Sequence, residues 1–77
     1  MRLPVVSGKE VVKALLKAGF EVKRQKGSHV HLVRHTAEKE FHVTVPVHGN
    51  VDLNQFVLRC IARQAGMAPE EFAAILK

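Results

Sequence analysis

The sequence predicts an α+β fold in the order α-β-β-β-α-α, with one three-stranded antiparallel sheet and the helices on one of its faces. Apolar residues recur at helical spacing toward both ends of the chain, whereas in the middle they alternate with polar residues. Glycines and prolines separate these segments. The 77 residues are expected to form one domain, 1–77, because so short a chain has material for a single core.

The first helix is predicted over residues 8–18. Ser7 is a suitable N-cap, and Glu10 three residues later completes a capping box, in which each residue accepts a hydrogen bond from the backbone of the other. An apolar stripe follows, and Gly19 is suited to the left-handed conformation that ends many helices.

Alternating segments at residues 20–25, 28–34 and 41–45 predict the three strands. The apolar positions expected to face the helices are Phe20, Val22, Val30, Leu32, Phe41, Val43 and Val45. The opposite, open face is then expected to carry His29, His31, His42, Thr44 and Lys23.

The register of the second and third strands follows from the same pattern. Pairing Val30 with Val45 and Leu32 with Val43 sets His31 opposite Thr44 and His29 opposite Pro46. His48 follows shortly after Pro46, so His29 and His48 are expected to approach one another at one edge of the open face.

Two further helices complete the prediction. The first is capped by Asp52 or Asn54 and ends near Gly66, with Arg59 and Arg63 facing outward. Its expected buried stripe is Phe56, Val57, Cys60, Ile61 and Ala65. The last helix starts at Pro69 and is anchored by Phe72, Ile75 and Leu76.

Positive charge is concentrated in the first part of the chain. Lysines and arginines number 12 against 7 acidic residues, giving a net charge of +5, and residues 1–34 hold eight basic and two acidic side chains. A basic half favours a polyanionic partner, most commonly nucleic acid, over an ordinary basic protein. Lys9, Lys13 and Lys17, four residues apart, form either a solvated helix face or a row of phosphate ligands.

The five histidines are the candidate chemical groups. A structural zinc site usually needs four ligands, often cysteines, and the chain has only Cys60, so no metal or cofactor is predicted. RNA carries its own nucleophile, the 2′-hydroxyl, and its cleavage needs only a base, an acid and cations on the phosphate. His29 follows the Gly27 turn and has Arg24 and Lys26 nearby in sequence, although a single exposed histidine is often a surface residue without a role.

Five blocks of the sequence carry a resemblance to a known family: PVVSGKE (4–10), AGF (18–20), QKGSH (25–29), VTVPVH (43–48) and RQAG (63–66). In this order and spacing the chain resembles the HicA toxin family, also described as YcfA-like, of bacterial toxin–antitoxin systems. The resemblance implies a fold similar to the double-stranded-RNA-binding domain. It also implies an endoribonuclease (mRNA interferase) that works without a cofactor, and a HicB antitoxin as protein partner.

The family's motifs map onto individual residues of this chain. The essential histidine after Gly-Ser corresponds to His29, and the histidine after Val-Pro-x corresponds to His48. The residues expected to contact RNA are Lys9, Lys13, Lys17, Arg24, Lys26 and Ser28. Family members commonly open the second helix with Gly-Thr, where this chain has Phe56-Val57, and Phe56 is therefore expected to pack or to contact a partner.

Two other functions remain open from the sequence: a non-catalytic RNA-binding module of the same fold, and a catalytically decayed member that only binds its antitoxin. The single Cys60 forms no internal disulfide, and no apolar run is long enough for a membrane helix. A cytoplasmic protein with no membrane partner is therefore expected.

Overall fold

The computed structural model describes residues 2–76, so the two outermost residues of the predicted domain, 1–77, lie outside it. The elements are α1 (Gly8–Lys17), β1 (Glu21–Lys26), β2 (His29–His35), β3 (Glu40–Pro46), α2 (Gln55–Gln64) and α3 (Pro69–Ile75). The strands form one antiparallel sheet in the order β1-β2-β3. The predicted α+β fold with α-β-β-β-α-α order is confirmed, and it is consistent with the double-stranded-RNA-binding-domain type.

Helix α1 begins as predicted. The Ser7 Oγ accepts a hydrogen bond from the Glu10 backbone at 3.4 Å, and the Glu10 carboxylate accepts one from the Ser7 N–H at 3.4 Å. The helix ends one residue before the predicted boundary, with Ala18 as C-cap and Gly19 at a φ of 103°. Gly8 lies so close to β3 that a Cβ would collide with the Pro46 carbonyl oxygen, which fixes the start of α1 against the end of that strand.

The predicted pairing of β2 with β3 is confirmed. Val30 is paired with Val45 and Leu32 with Val43, and these four side chains are buried in the core on the helix side of the sheet. The same register sets His31 opposite Thr44 on the open face. Alternation specifies the register here because a slip of β3 by one residue would move its buried Val43 and Val45 side chains into water.

Strand β1 departs from the predicted alternation. Its register with β2 shifts between Val22 and Arg24, which makes Lys23 an extra residue in a β-bulge. Val22 is paired with Leu32 and lies on the helix side as predicted, but it is 48% exposed. The reason is that β1 is an edge strand, all six residues of which are exposed.

Helix α2 begins after Asn54, whose side chain accepts a hydrogen bond from the Val57 N–H at 2.8 Å. The buried side chains of the helix are Leu58, Ile61 and Ala62, and its C-cap Ala65 is also buried. The predicted buried stripe is thus wrong at Phe56, which is 74% exposed, and only partly right at Val57 and Cys60, which are half-buried. With Asn54 as the cap, Phe56 is the second residue of the helix and lies on its outer side.

Helix α3 closes the core as predicted. Phe72 is fully buried, and Ile75 and Leu76 are half-buried against the same cluster. Ala68 has no side-chain group that can cap the helix, and the Glu71 carboxylate accepts a hydrogen bond from the Ala68 N–H at 3.1 Å. Among residues 2–76, none of the helices has the length and apolar character needed to cross a bilayer.

Candidate RNA-cleaving surface

The open face of the sheet consists of cross-strand rows, because paired residues of neighbouring strands point to the same side. The first row is Lys26, His29 and Pro46, and the second is Arg24, His31 and Thr44. The third row is Glu21, Val33 and His42, and the fourth is His35 and Glu40. All the predicted open-face residues of β2 and β3 are thus confirmed in place.

The β-bulge gives the first two rows their positive charge. Strict alternation from Phe20 and Val22 would turn Arg24 and Lys26 toward the helices. The extra residue reverses this phase, so that Arg24 lies opposite His31 and Lys26 lies opposite His29. We call these two rows the cationic end of the sheet; they contain two permanent positive charges and no carboxylate.

His29 lies at the cationic end with its side chain exposed. Within residues 2–76, its ring has neither a hydrogen-bond nor an ion-pair partner, and the same holds for the exposed His48. The residues that directly precede the two histidines are hydrogen bonded to each other: the Val47 N–H donates to the Ser28 carbonyl oxygen at 2.6 Å. The two histidines therefore lie at the same end of the sheet, and half-buried Ser28 directly precedes His29.

The second row contains a histidine that is held in place. The His31 Nδ1 and the Thr44 Oγ1 are 3.1 Å apart and hydrogen bonded. The Thr44 backbone N–H in turn donates to the Gln64 Oε1 of α2 at 3.1 Å. His31 is half-buried, and its Nδ1 is engaged while its Nε2 has no protein partner among the described residues.

The other end of the open face has a carboxylate between two histidines. The Glu40 side chain contacts His42 Nε2 at 2.7 Å and His35 Nδ1 at 3.1 Å. The hydrogen bond with His42 is the main cause that holds the pKa of the Glu40 carboxyl below its ordinary value, and electrostatic interaction with His35, His42 and Lys23 acts in the same direction. We call His35, Glu40 and His42 the paired end of the sheet.

The predicted row of lysines on α1 is divided between two surface depressions. Lys9 lines one with Val12, Gln25, Val30 and Val47, on the helix side of the sheet. Lys13 and Lys17 line another, with Glu10 and the end of α3. The structure therefore separates Lys9 from Lys13 and Lys17, and neither depression is lined by a residue of the first two rows.

Metal ligands and the cysteine thiol are the other groups that could carry chemistry. In the part of the chain that the structure describes, no three His, Cys, Asp or Glu side chains are grouped so that they could hold a metal ion. The free Cys60 is half-buried on α2, where it lines a shallow depression with Phe56, Arg59 and Arg63.

Comparison with known families assigns the chain to one of them. The model of the family described as HicA toxin of bacterial toxin–antitoxin matches residues 8–67, which is most of the chain. The chain belongs to the HicA toxin family. The matched HicA region runs from the first residue of α1 to the turn after α2 and includes every predicted site residue. No curated protein matches this HicA chain closely enough to count as a relative.

Membership makes this protein the toxin of a toxin–antitoxin system, so an antitoxin partner is implied. The position that follows Gly27-Ser28 in this HicA chain is His29, at the cationic end of the sheet. Sequence reasoning missed the bulge that places Arg24 and Lys26 there. The sequence did contain one signal: strict alternation from Phe20 and Val22 places Arg24 and Lys26 on the buried side of the strand, where charged side chains are unfavourable.

Proposed function

We propose that this HicA protein is a metal-independent endoribonuclease, an mRNA interferase of the cytoplasm, and that His29 transfers a proton in the reaction. The observation that carries the proposal is the row formed by Lys26 and His29. In this row the exposed His29 imidazole, which has no protein partner among residues 2–76, lies opposite Lys26. The first two rows contain no carboxylate. An imidazole exchanges protons near neutral pH, and the cation attracts the phosphate whose ester is cut.

The reaction uses the 2′-hydroxyl of the RNA as its nucleophile. A base removes the hydroxyl proton, the O2′–P bond forms as the P–O5′ bond breaks, and an acid gives a proton to O5′. The products are a 2′,3′-cyclic phosphate and a 5′-hydroxyl, so no water or other reactant is consumed. His29 is the first of the two proton-transfer groups, and His48, at the same end of the sheet, is the second group suggested by the family motif.

The positive side chains around His29 are proposed to bind the RNA backbone. Arg24 and Lys26 belong to the first two rows and would hold the phosphates around the scissile bond, whereas Lys9, on the helix side of the sheet, would reach a neighbouring phosphate. Ser28 offers a hydroxyl and backbone groups beside them. Lys13 and Lys17, near α3, would reach only phosphates farther along the strand.

The test is cleavage of end-labelled RNA in the presence of EDTA, with the termini of the products identified. We expect a cyclic phosphate and a 5′-hydroxyl. His29→Ala should keep the melting temperature and the RNA affinity but lower the rate by about 10²–10⁴-fold. His42→Ala is the matched control, since it removes a histidine from the paired end of the same face, and it should cut normally.

Other results would point to the alternative functions. RNA that is shifted on a gel but never shortened by the wild-type protein would indicate a non-catalytic binding module. If RNA is neither bound nor cut, and only an antitoxin is bound, the chain is a decayed member of the family. Unchanged cleavage by His29→Ala would remove this histidine from the mechanism.

A HicB-like antitoxin is the proposed protein partner. An acidic surface would complement the cationic end and cover the histidines there.

Phe56 is proposed as a second contact, because a phenylalanine that is 74% exposed on α2 is unusual for a core-forming residue. Phe56→Ser should leave RNA cleavage unchanged and weaken antitoxin binding by roughly 10-fold or more. Equal affinity of Phe56→Ser and wild type in calorimetry would exclude Phe56 from the interface.

A further inference from the structure

The proposed cleavage needs two proton-transfer groups, and β2 carries two imidazoles on the open face of its cationic end. His31 follows His29 by two residues on the same strand and therefore lies on the same side of the sheet. Its cross-strand partners are Arg24 on β1 and Thr44 on β3. His31 thus shares both the face and the positive surroundings of His29.

The spacing of the two histidines suits the geometry of the reaction. Residues i and i+2 of a strand are separated by roughly 7 Å along the chain. In an in-line displacement the attacking O2′ and the leaving O5′ lie on opposite sides of the phosphorus atom. A phosphate between the two rings would therefore have one imidazole beside each of these oxygens, which is what a base and an acid acting in one step require.

The ring of His31 is oriented by a hydrogen bond, whereas the rings of His29 and His48 have none among residues 2–76. Its Nδ1 is hydrogen bonded to the Thr44 hydroxyl at 3.1 Å, and the Thr44 backbone is bonded to Gln64 at 3.1 Å. This chain of contacts connects the ring to α2. With Nδ1 engaged, Nε2 is the nitrogen left to exchange a proton with a ligand.

The remaining histidines fit the second role less well. His48 lies in the segment after β3, with no side-chain contact to orient its ring among residues 2–76. His35 and His42 are bonded to Glu40 at the far end of the face. Only His31 combines a place beside His29 with a ring that is held in position.

We propose that His31 is the second proton-transfer residue, paired with His29, and that Thr44 is its positioning residue. This inference rests on the proposed RNA cleavage and replaces His48 in the second role. One of the two rings accepts the proton of the 2′-hydroxyl as the O2′–P bond forms. The other gives a proton to O5′ as the P–O5′ bond breaks, so that proton and electron pairs balance without a further reactant.

The first test is the single-turnover cleavage rate measured across pH for wild type, His31→Ala, His48→Ala and the control His42→Ala. We expect His31→Ala to lower the rate by at least roughly 10²-fold and to remove one limb of the pH profile. If alanine lowers the melting temperature, His31→Gln takes its place. A lost limb in His48→Ala together with a normal profile in His31→Ala would overturn the assignment.

The second test separates the acid from the base. In a ribonucleoside 3′-(4-nitrophenyl) phosphate, the 4-nitrophenolate leaves without being protonated. A variant that lacks the general acid should therefore cleave this substrate at close to the wild-type rate. We expect one of the variants His29→Ala and His31→Ala to regain most of the wild-type rate on this substrate, while the other remains slow. If neither or both regain it, the two residues do not form an acid–base pair.

Thr44 provides a test of the positioning role. Thr44→Val keeps the shape but removes the hydroxyl, and it should lower the rate by roughly 3- to 10-fold, the usual effect of losing one hydrogen bond. Thr44→Ser should restore the rate. An unchanged rate in Thr44→Val would contradict the positioning role.

The inference and the proposed function fail in different ways. If the wild-type protein does not cut RNA, or cuts it independently of His29, the proposed function itself is wrong. If cleavage depends on His29 while His31→Ala leaves both the rate and the pH profile unchanged, only the assignment of His31 is wrong.

Discussion

The two ends of the open sheet face carry the same residue type in opposite surroundings. At the cationic end, His29 and His31 lie opposite Lys26 and Arg24. At the paired end, His35 and His42 contact the carboxylate of one glutamate, Glu40. The buried Val33 lies between the two pairs, in the third row.

The difference shows that neighbours decide what a histidine is able to do. An imidazole bonded to a carboxylate has a partner for its positive form, and the carboxylate repels an incoming phosphate. An imidazole beside lysine and arginine has no such partner, and its surroundings attract phosphate. The cationic end is therefore the end suited to RNA, although both ends are exposed and equally rich in histidine.

The largest expected effect on RNA binding comes from removing the positive charge of the cationic end. Arg24→Ala combined with Lys26→Ala should weaken binding of a 2′-deoxy-substituted, non-cleavable RNA by roughly 10²-fold, because two charge-assisted contacts are lost. The slope of log affinity against log salt concentration should become shallower by about 1.4 on a single strand. Fluorescence anisotropy at several salt concentrations measures both.

Lys39→Ala is the matched control for this double variant. Lys39 lies near the paired end, with its ammonium 4.9 Å from the centre of the Phe41 ring. It should change the RNA affinity by no more than about twofold, the range expected for a distant surface charge. Equal losses in Lys39→Ala and the double variant would show that the net charge, and not its position, determines binding.

An intermediate effect is expected from Gly8→Ala, which disturbs the support of the cationic end. The added Cβ would meet the Pro46 carbonyl and push α1 away from the end of β3. We expect a loss of about 2–3 kcal/mol in the free energy of unfolding, as for other overpacked sites, together with slower cleavage. Denaturant titration gives the stability.

Gly49→Ala serves as the comparison for Gly8→Ala. Gly49 has a φ of 56° and no neighbouring atom within 4 Å of an added Cβ, so only backbone strain of about 1 kcal/mol is expected. If Gly8→Ala destabilised the protein no more than Gly49→Ala, the close packing of α1 on β3 would be unimportant for stability.

The smallest effect is expected from Glu40→Gln at the paired end. Because the folded-state pKa of Glu40 is lowered, mainly by His42, the ionised carboxylate stabilises the fold above its unfolded-state pKa. That contribution is lost as the pH falls through the lowered value. Since Glu40 is exposed, the contribution is small and is screened by salt. Glu40→Gln should therefore melt slightly earlier than wild type at neutral pH and equally in acid, with RNA cleavage retained.

A melting difference that persists below the pKa of Glu40 would show that the pairing with His35 and His42 is not its source. Loss of cleavage in Glu40→Gln would contradict the separation between the two ends, because it would give the paired end a part in the reaction.

Much of the fold could be predicted from the sequence because several local signals agree. The capping box fixes the start of α1, and the valine and leucine alternation fixes the register of β2 with β3. That register also placed His29, His31 and Thr44 correctly on the open face. Each of these signals depends on residues within one segment or one strand pair.

The features that the sequence did not reveal are the exposure of Val22 and Phe56, the bulge in β1 and the contacts of Glu40. Periodicity predicts the face of Val22 but not that an edge strand leaves it exposed, and the only sign of the bulge at Lys23 is that strict alternation would turn Arg24 and Lys26 toward the helices. Helical spacing groups Phe56 with Val57, Cys60, Ile61 and Ala65, but the face of α2 that is buried carries Leu58, Ile61 and Ala62, and Phe56 is exposed. The contacts of Glu40 with two histidines require the folded sheet.

The most direct test of the central claim is to locate bound RNA on the folded protein. Backbone amide chemical shifts would be recorded by NMR with and without a 2′-deoxy-substituted RNA that binds but is not cut. The account predicts that the largest changes fall on Arg24, Lys26, His29 and His31, with little change at His35, Glu40 and His42. Changes centred on the paired end, or confined to α2 and α3, would contradict it.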